Sequence, residues 1–167
     1  IRTFTSDYTK GNKYRSRWEK FLFSVNGREF FLKGMNWTPM DFLYDISPER
    51  YEWCLTMAKN AGIQFIRVWN GGGMPEADTF YELCDKLGLT VWTEIGIVNR
   101  VSADDKKPPL LKPEFFENAK IQLIELIRQN YNHPSIIVWG ISNELWQMSD
   151  EIYKMYVALV GVARNED

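Results

Sequence analysis

Carboxylates, amides and indoles recur in this sequence at the ends of short apolar runs. Asn36, Trp37 and, a few residues on, Asp41 follow the first run. Arg67, Trp69 and then Gly71-Gly72-Gly73 close the second. Trp92 and Glu94 close the third, and Asn143, Glu144 and Trp146 follow the fourth. Groups of these types, gathered at one rim, suit a carbohydrate pocket: indoles cover the apolar C–H faces of a pyranose, while Asn, Asp and Arg address its hydroxyls. Two carboxyl groups facing each other across such a rim are the equipment of glycosidic-bond cleavage.

Each of these groups also has a plainer reading. Glu144, with Trp139 and Trp146 near it in sequence, stands where partial burial would raise a carboxyl's pKa and suit it to general acid work near neutrality. Asn143-Glu144 reads equally as a capping Asn followed by a helix N-terminal acid. Glu94 is a second rim carboxylate, or a structural partner for Arg67 on the neighbouring strand, since a buried charge demands pairing. The triple glycine follows a strand and precedes a helix, as a phosphate loop would. It lacks both the GxGxxG spacing and a following Gly-Lys-Ser/Thr, and Glu76 and Asp78 close behind it would repel phosphate. His133, the one histidine, lies in Asn132-His133-Pro134 ahead of a strand, at the end opposite the chemistry, which favours a structural turn. With one His and two helical Cys (Cys54 and Cys84), a metal site has little to work with, and no cofactor is expected.

The elements that must position these groups alternate. Strands are expected over 32–37, 64–69, 90–95 and 136–141, each a short and nearly continuous apolar run, as in a parallel sheet covered on both faces. The first helix opens at Ser47-Pro48 and stops at Gly62. Phe80, Leu83, Cys84 and Leu87 mark the second, ended by Gly88. The third runs from about 113 to 131 with Phe116, Ala119, Leu123 and Ile127 on one stripe. The fourth starts at Ser149, with Ile152, Met155, Tyr156, Leu159, Val160 and Ala163 as its apolar face. Ahead of them, Asn26-Gly27 between two apolar runs signals a hairpin. The fold class is therefore α/β: about four βα units preceded by a β-hairpin. An open doubly wound sheet and a partial (β/α)8 barrel both fit, and a whole barrel of about 200–250 residues does not. In either case the strand ends named above share one rim.

Composition narrows the partners. The 167 residues carry a net charge of −2, which gives no electrostatic basis for gripping nucleic acid or an anionic membrane. No apolar run approaches the roughly 20 residues that span a bilayer. The one excess is aromatic, 15% of the chain. The chain begins Ile1-Arg2-Thr3 without an initiator Met, so a fragment of a longer polypeptide is expected. The expected partners are a carbohydrate, the remainder of that polypeptide and, through unpaired sheet edges, a second copy.

Several segments together resemble the catalytic barrel of family 2 glycoside hydrolases. They are Val25-Asn26-Gly27-Arg28, Leu32-Lys33-Gly34-Met35-Asn36-Trp37-Thr38-Pro39, Ile66-Arg67-Val68-Trp69, Phe80 to Leu89, and Asn132-His133-Pro134-Ser135 leading to Trp139 and Asn143-Glu144. Asn36-Trp37-Thr38-Pro39-Met40-Asp41 and Arg67-Val68-Trp69 with its glycines lean towards the β-mannosidase branch. Ile1-Arg2-Thr3 resembles the last strand of the immunoglobulin-like module that precedes the barrel. Residues 1–20 are accordingly expected to be that module's tail plus a linker, and 21–167 the N-terminal half of the barrel. The resemblance implies a retaining mechanism with Glu144 as acid/base and Asn143 on the sugar 2-hydroxyl. It implies Arg67 as a brace, with Asn36, Trp37, Asp41, Trp69, Glu94 and Trp146 lining the subsite. The family's nucleophile is a second Glu near the end of the seventh strand, so the fragment alone is expected to be inert. A second expectation, from another class, is a non-catalytic carbohydrate-binding or scaffold protein that keeps the rim. A nucleotide-binding open sheet is the third.

Overall fold

The computed structural model describes residues 4–7, 22–41, 43–69, 75–98, 113–144 and 149–167. Two sheets are present among them. β1 (Phe4–Asp7), β2 (Leu22–Val25) and β3 (Arg28–Phe30) form an antiparallel sheet in that order. Asn26 (φ 51°) and Gly27 (φ 76°) both lie in the left-handed region, which is what a two-residue hairpin turn between twisted strands requires. β1 pairs with β2, Phe4 opposite Val25, so a strand from the first twenty residues joins the hairpin that follows them.

β4 (Gly34–Trp37), β5 (Phe65–Val68), β6 (Thr90–Glu94) and β7 (Ile136–Gly140) form a parallel sheet in chain order. Helices α1 (Pro48–Asn60), α2 (Asp78–Leu87) and α3 (Pro113–Asn130) cross between successive strands, and α4 (Asp150–Glu166) follows the last. Chain-order parallel strands with one helix per crossover are the repeat of a (β/α)8 barrel, here four units of it.

Local chemistry explains the boundaries. The Ser47 hydroxyl accepts from the Arg50 N–H and Pro48 occupies the first helical turn. The Ser149 hydroxyl does the same for Ile152 at the start of α4. α2 ends on Gly88, whose φ of 67° an L side chain would resist. α2 is the exception at its start, because Ala77 there offers no side-chain acceptor.

Two apolar bodies pack on the helix side of the sheet. The first joins Trp37, Ile66, Val68 and Val91 of the strands to Tyr51 and Leu55 of α1 and Phe80, Tyr81 and Cys84 of α2. The second joins Ile95 and Ile97 to Ala119, Leu123 and Ile127 of α3 and Met155 and Leu159 of α4. Val160, assigned above to the buried stripe of α4, is exposed. The other side of the sheet, which in a closed barrel points to the axis, carries Asn36, Arg67 and Trp92 in register across β4, β5 and β6. At the amino end of the sheet, His133 Nδ1 lies 2.7 Å from Asp85 Oδ2, and the other Asp85 oxygen accepts from the Ser135 N–H. His133 thus ties the turn before β7 to α2, as a structural histidine does.

Candidate active site

The inward face gathers a charged cluster at the carboxyl end of the strands. Glu94, the last residue of β6, is fully buried at 0% exposure. Arg67, two-thirds of the way along β5, meets it with a two-pronged grip: Nε donates to Oε2 at 3.2 Å and Nη2 to Oε1 at 2.9 Å. This planar fork against a carboxylate is the arrangement that makes a buried ion pair tolerable. The same Nη2 donates to Asn143 Oδ1 at 2.7 Å. With its carbonyl oxygen accepting from Arg67, Asn143 has its amide N–H groups as its side-chain donors. The Asn143 backbone is fixed as well, its N–H donating to the Ile97 carbonyl at 2.9 Å and the residue bridging to Val98. Three strand ends are thus held to one guanidinium.

Glu144 follows at once. It is exposed, and its φ of 51° lies in the left-handed region that residues with a Cβ seldom adopt. Such backbone outliers collect where a side chain must be aimed rather than merely accommodated. The partial burial between indoles expected for Glu144 is absent among the described residues. Trp139 pairs in register with Thr93 on the helix-facing side, packs on the second apolar body and donates its indole N–H to Asp167 at 2.7 Å. Trp146 lies outside the described residues, as do Gly71, Gly72 and Gly73.

The remaining rim residues divide by strand alternation. Asn36, opposite Arg67, is inward and exposed. Trp69 is half-buried, and its backbone N–H donates to the Trp37 carbonyl at 2.8 Å. Trp37 itself is not offered to a ligand. It pairs with Val68 on the opposite face, is 5% exposed and packs between Tyr51 and Phe80. Asp41 closes its own turn, Oδ1 accepting from the Leu43 N–H at 2.8 Å and the carbonyl from the Tyr44 N–H.

Residues 17–164 match the family described as "Glycosyl hydrolases family 2, TIM barrel domain". The chain belongs to that family. It is 36% identical over 125 residues to a beta-mannosidase of Rattus norvegicus, covering 74% of this chain and 13% of that protein. It is 38% identical over 122 residues to a beta-glucuronidase of Bacteroides fragilis, covering 73% of this chain and 17% of that protein. The structure of a beta-D-mannosidase from Dictyoglomus thermophilum superposes on the whole of this chain and 21% of its own, with a TM-score of 0.80 at 32% identity. The family 2 domain described here therefore spans a small part of the length of its relatives, and its sheet is a partial barrel.

Two residues of this family 2 domain have packing roles that a reading of strand ends leaves undefined. Trp92 sits one layer below Glu94 on the same face, with the Arg67 guanidinium 5.4 Å from its ring centroid. Named above as a strand-end indole, it shares the face of Glu94 because residues two apart on a strand point the same way. Its indole also explains Gly140. A Cβ at that position would lie 2.1 Å from Trp92 Nε1 and 2.6 Å from the Glu94 Cβ. Gly140→Ala is expected to cost about 1–3 kcal/mol or more, because neither a ring wedged on a strand nor a Cβ can step aside. Urea denaturation measures it, and a change under about 0.5 kcal/mol, the usual range of an inconsequential surface substitution, would show that the strands yield.

The second is Glu76, just before α2. It is buried at 6% exposure, accepting from the Trp37 indole N–H at 3.0 Å and the Tyr51 hydroxyl at 2.5 Å. Burial raises its pKa, partly offset by those two donors. Tyr51, Tyr81 and Cys84 around it are likewise pushed up, chiefly by burial. Tyr44 is raised by burial and by the nearby Glu76 charge. A carboxyl raised on folding supports the fold fully below its unfolded pKa of about 4.3, and that support fades as pH rises through the folded value. Glu76→Gln, neutral throughout, is expected to gain stability relative to the parent chain between pH 4.5 and pH 8. Paired urea melts would show this, and a constant difference across that range would refute it.

Proposed function

We propose that this chain is the first half of the catalytic barrel of a retaining hydrolase of β-mannosides or related β-glycosides, working as part of a longer polypeptide. The observation that carries the reading is the single guanidinium of Arg67 holding Glu94 and Asn143 together at the strand ends, with Glu144 the next residue. In this reading Glu144 protonates the departing glycosidic oxygen and later draws a proton from water. Asn143 donates to the sugar 2-oxygen, a role its orientation by Arg67 supports. Asn36, Trp69 and Asp41 line the subsite, Glu94 and Arg67 brace it, and Trp146 closes it. Residues 1–20 belong to the tail of a preceding immunoglobulin-like module.

The nucleophile, on a later strand, completes a carboxyl pair about 5–5.5 Å apart. Glu94 does not fill that role, since both of its oxygens are engaged by Arg67. Purified 167-residue chain is therefore expected to release no nitrophenol from 4-nitrophenyl β-D-mannopyranoside or the β-D-glucuronide, whereas the longer polypeptide releases it from one of them. Turnover by the chain alone would overturn its inertness. Silence from the longer polypeptide on every β-glycoside offered would overturn the hydrolase.

A further inference from the structure

The rim cluster makes no use of Glu76, yet this carboxyl is bonded to two other elements. Its burial is not a route to stability. An apolar side chain of the same volume beside Trp37, Tyr51 and Phe80 would avoid the desolvation of a carboxyl, and such replacements of buried charge are commonly neutral or stabilising. What a carboxyl supplies and a hydrocarbon does not is direction: two acceptor oxygens that pin two donors. One donor is the Trp37 indole at the exit of β4, the other the Tyr51 hydroxyl on α1, itself hydrogen-bonded by the Ala77 backbone at the uncapped start of α2.

Trp37 is the residue through which this grip reaches the rim. Its carbonyl accepts from the Trp69 N–H, and the residue before it is Asn36, facing the barrel interior opposite Arg67. A Trp37 whose indole can repack loosens the β4 exit, the backbone that links it to both neighbours. We propose that Glu76 is a positioning residue for the rim: by holding the Trp37 indole and the Tyr51 hydroxyl it fixes Asn36 and Trp69, two residues that face the sugar. The proposal rests on the reading above only for what those two residues contact.

The test uses hydrogen exchange and amide signals of the 167-residue chain by NMR. Glu76→Leu keeps the volume and removes both acceptors. The Trp37 indole N–H is expected to exchange about tenfold faster, the scale of one lost net hydrogen bond. The Asn36 and Trp69 amide signals should shift or broaden, while those of α3 and α4 stay in place. Glu76→Gln keeps an acceptor for Trp37 and should restore the indole protection. Unmoved Asn36 and Trp69 signals in the Leu variant, or a Gln variant as exposed as Leu, would reduce Glu76 to core filling. Should Glu76→Leu not fold, Tyr51→Phe removes one donor alone, and it must still disturb Asn36 and Trp69 or the proposal fails. Addition of methyl β-D-mannopyranoside to the parent chain separates the two claims. Absent shifts at Asn36 and Trp69 beside a protected indole would count against the sugar reading and leave the tether standing.

Discussion

Replacing Arg67 by methionine is expected to destabilise the chain by about 3–5 kcal/mol, the usual cost of stripping one partner from a buried ion pair. Methionine has nearly the length of the arginine stem, so lost packing contributes little. The loss is electrostatic: Glu94 has no exposure to water, and the two-pronged guanidinium grip on it would be gone. Asn143 would lose its 2.7 Å anchor in the same step. Such a Glu94 is expected to take up a proton in the variant, since desolvation disfavours the charged form. The defect should therefore shrink as pH falls. Arg67→Lys should recover only part of the loss, because an ammonium restores charge without the planar pair of donors. Urea denaturation at pH 7 and pH 5 gives both quantities. A variant within about 1 kcal/mol of the parent at pH 7, the level of an exposed ion pair, would mean that the pair behaves as a surface bridge.

The second large effect concerns Glu144 in the longer polypeptide proposed above. Glu144→Gln is expected to lower turnover of unactivated β-mannosides by about 10²–10⁴-fold, the range attributed to a positioned general acid. Nitrophenolate needs little protonation to depart, so glycosides of nitrophenol should lose less in the step that expels it. Comparison of kcat/KM for the two leaving groups is the measurement. Equal losses would assign Glu144 to binding, and a loss below tenfold would remove it from the chemistry. The exposure of Glu144 in the four-unit sheet bears on this expectation. A carboxyl becomes a useful acid near neutrality when its surroundings are dry, and among the described residues Glu144 is exposed. The remaining strands of a closed barrel would supply that enclosure.

The periodic part of this fold was readable from short-range chemistry. Ser47 and Ser149 as caps, Gly88 as a left-handed stop and Asn26-Gly27 as a hairpin turn each depend on a few neighbouring residues. Glu94 as partner of Arg67 was readable too, since any charge at a strand end demands a countercharge. Facing was harder. Asn36 and Trp37 are adjacent, and a shift of one residue sends one to the interior and the other to the helices. Apolar runs on both faces hide which is which. Trp37 was therefore read as a rim indole, and Trp139 as a flank of Glu144, when their register partners, Val68 and Thr93, face the helices. Glu76 was legible only as a charge near the triple glycine, because nothing local announces that Tyr51 and Trp37 converge on it. The pairing of β1 with β2 lay outside reach for the same reason: fourteen intervening residues separate them, and composition alone does not say which strand a four-residue segment will join.

The division of the hydrophobic interior has its own consequence. One body holds α1 and α2 and the other α3 and α4; β6 with the residue after it touches both, and so does β7, through Ile136 and Trp139. A molecule assembled as two quarter-barrels on two shared strands can open one quarter while the other stays folded. Its cooperativity is then set by β6 and β7, and a lesion in either strand would loosen both bodies at once where a lesion in α1 or α4 loosens one.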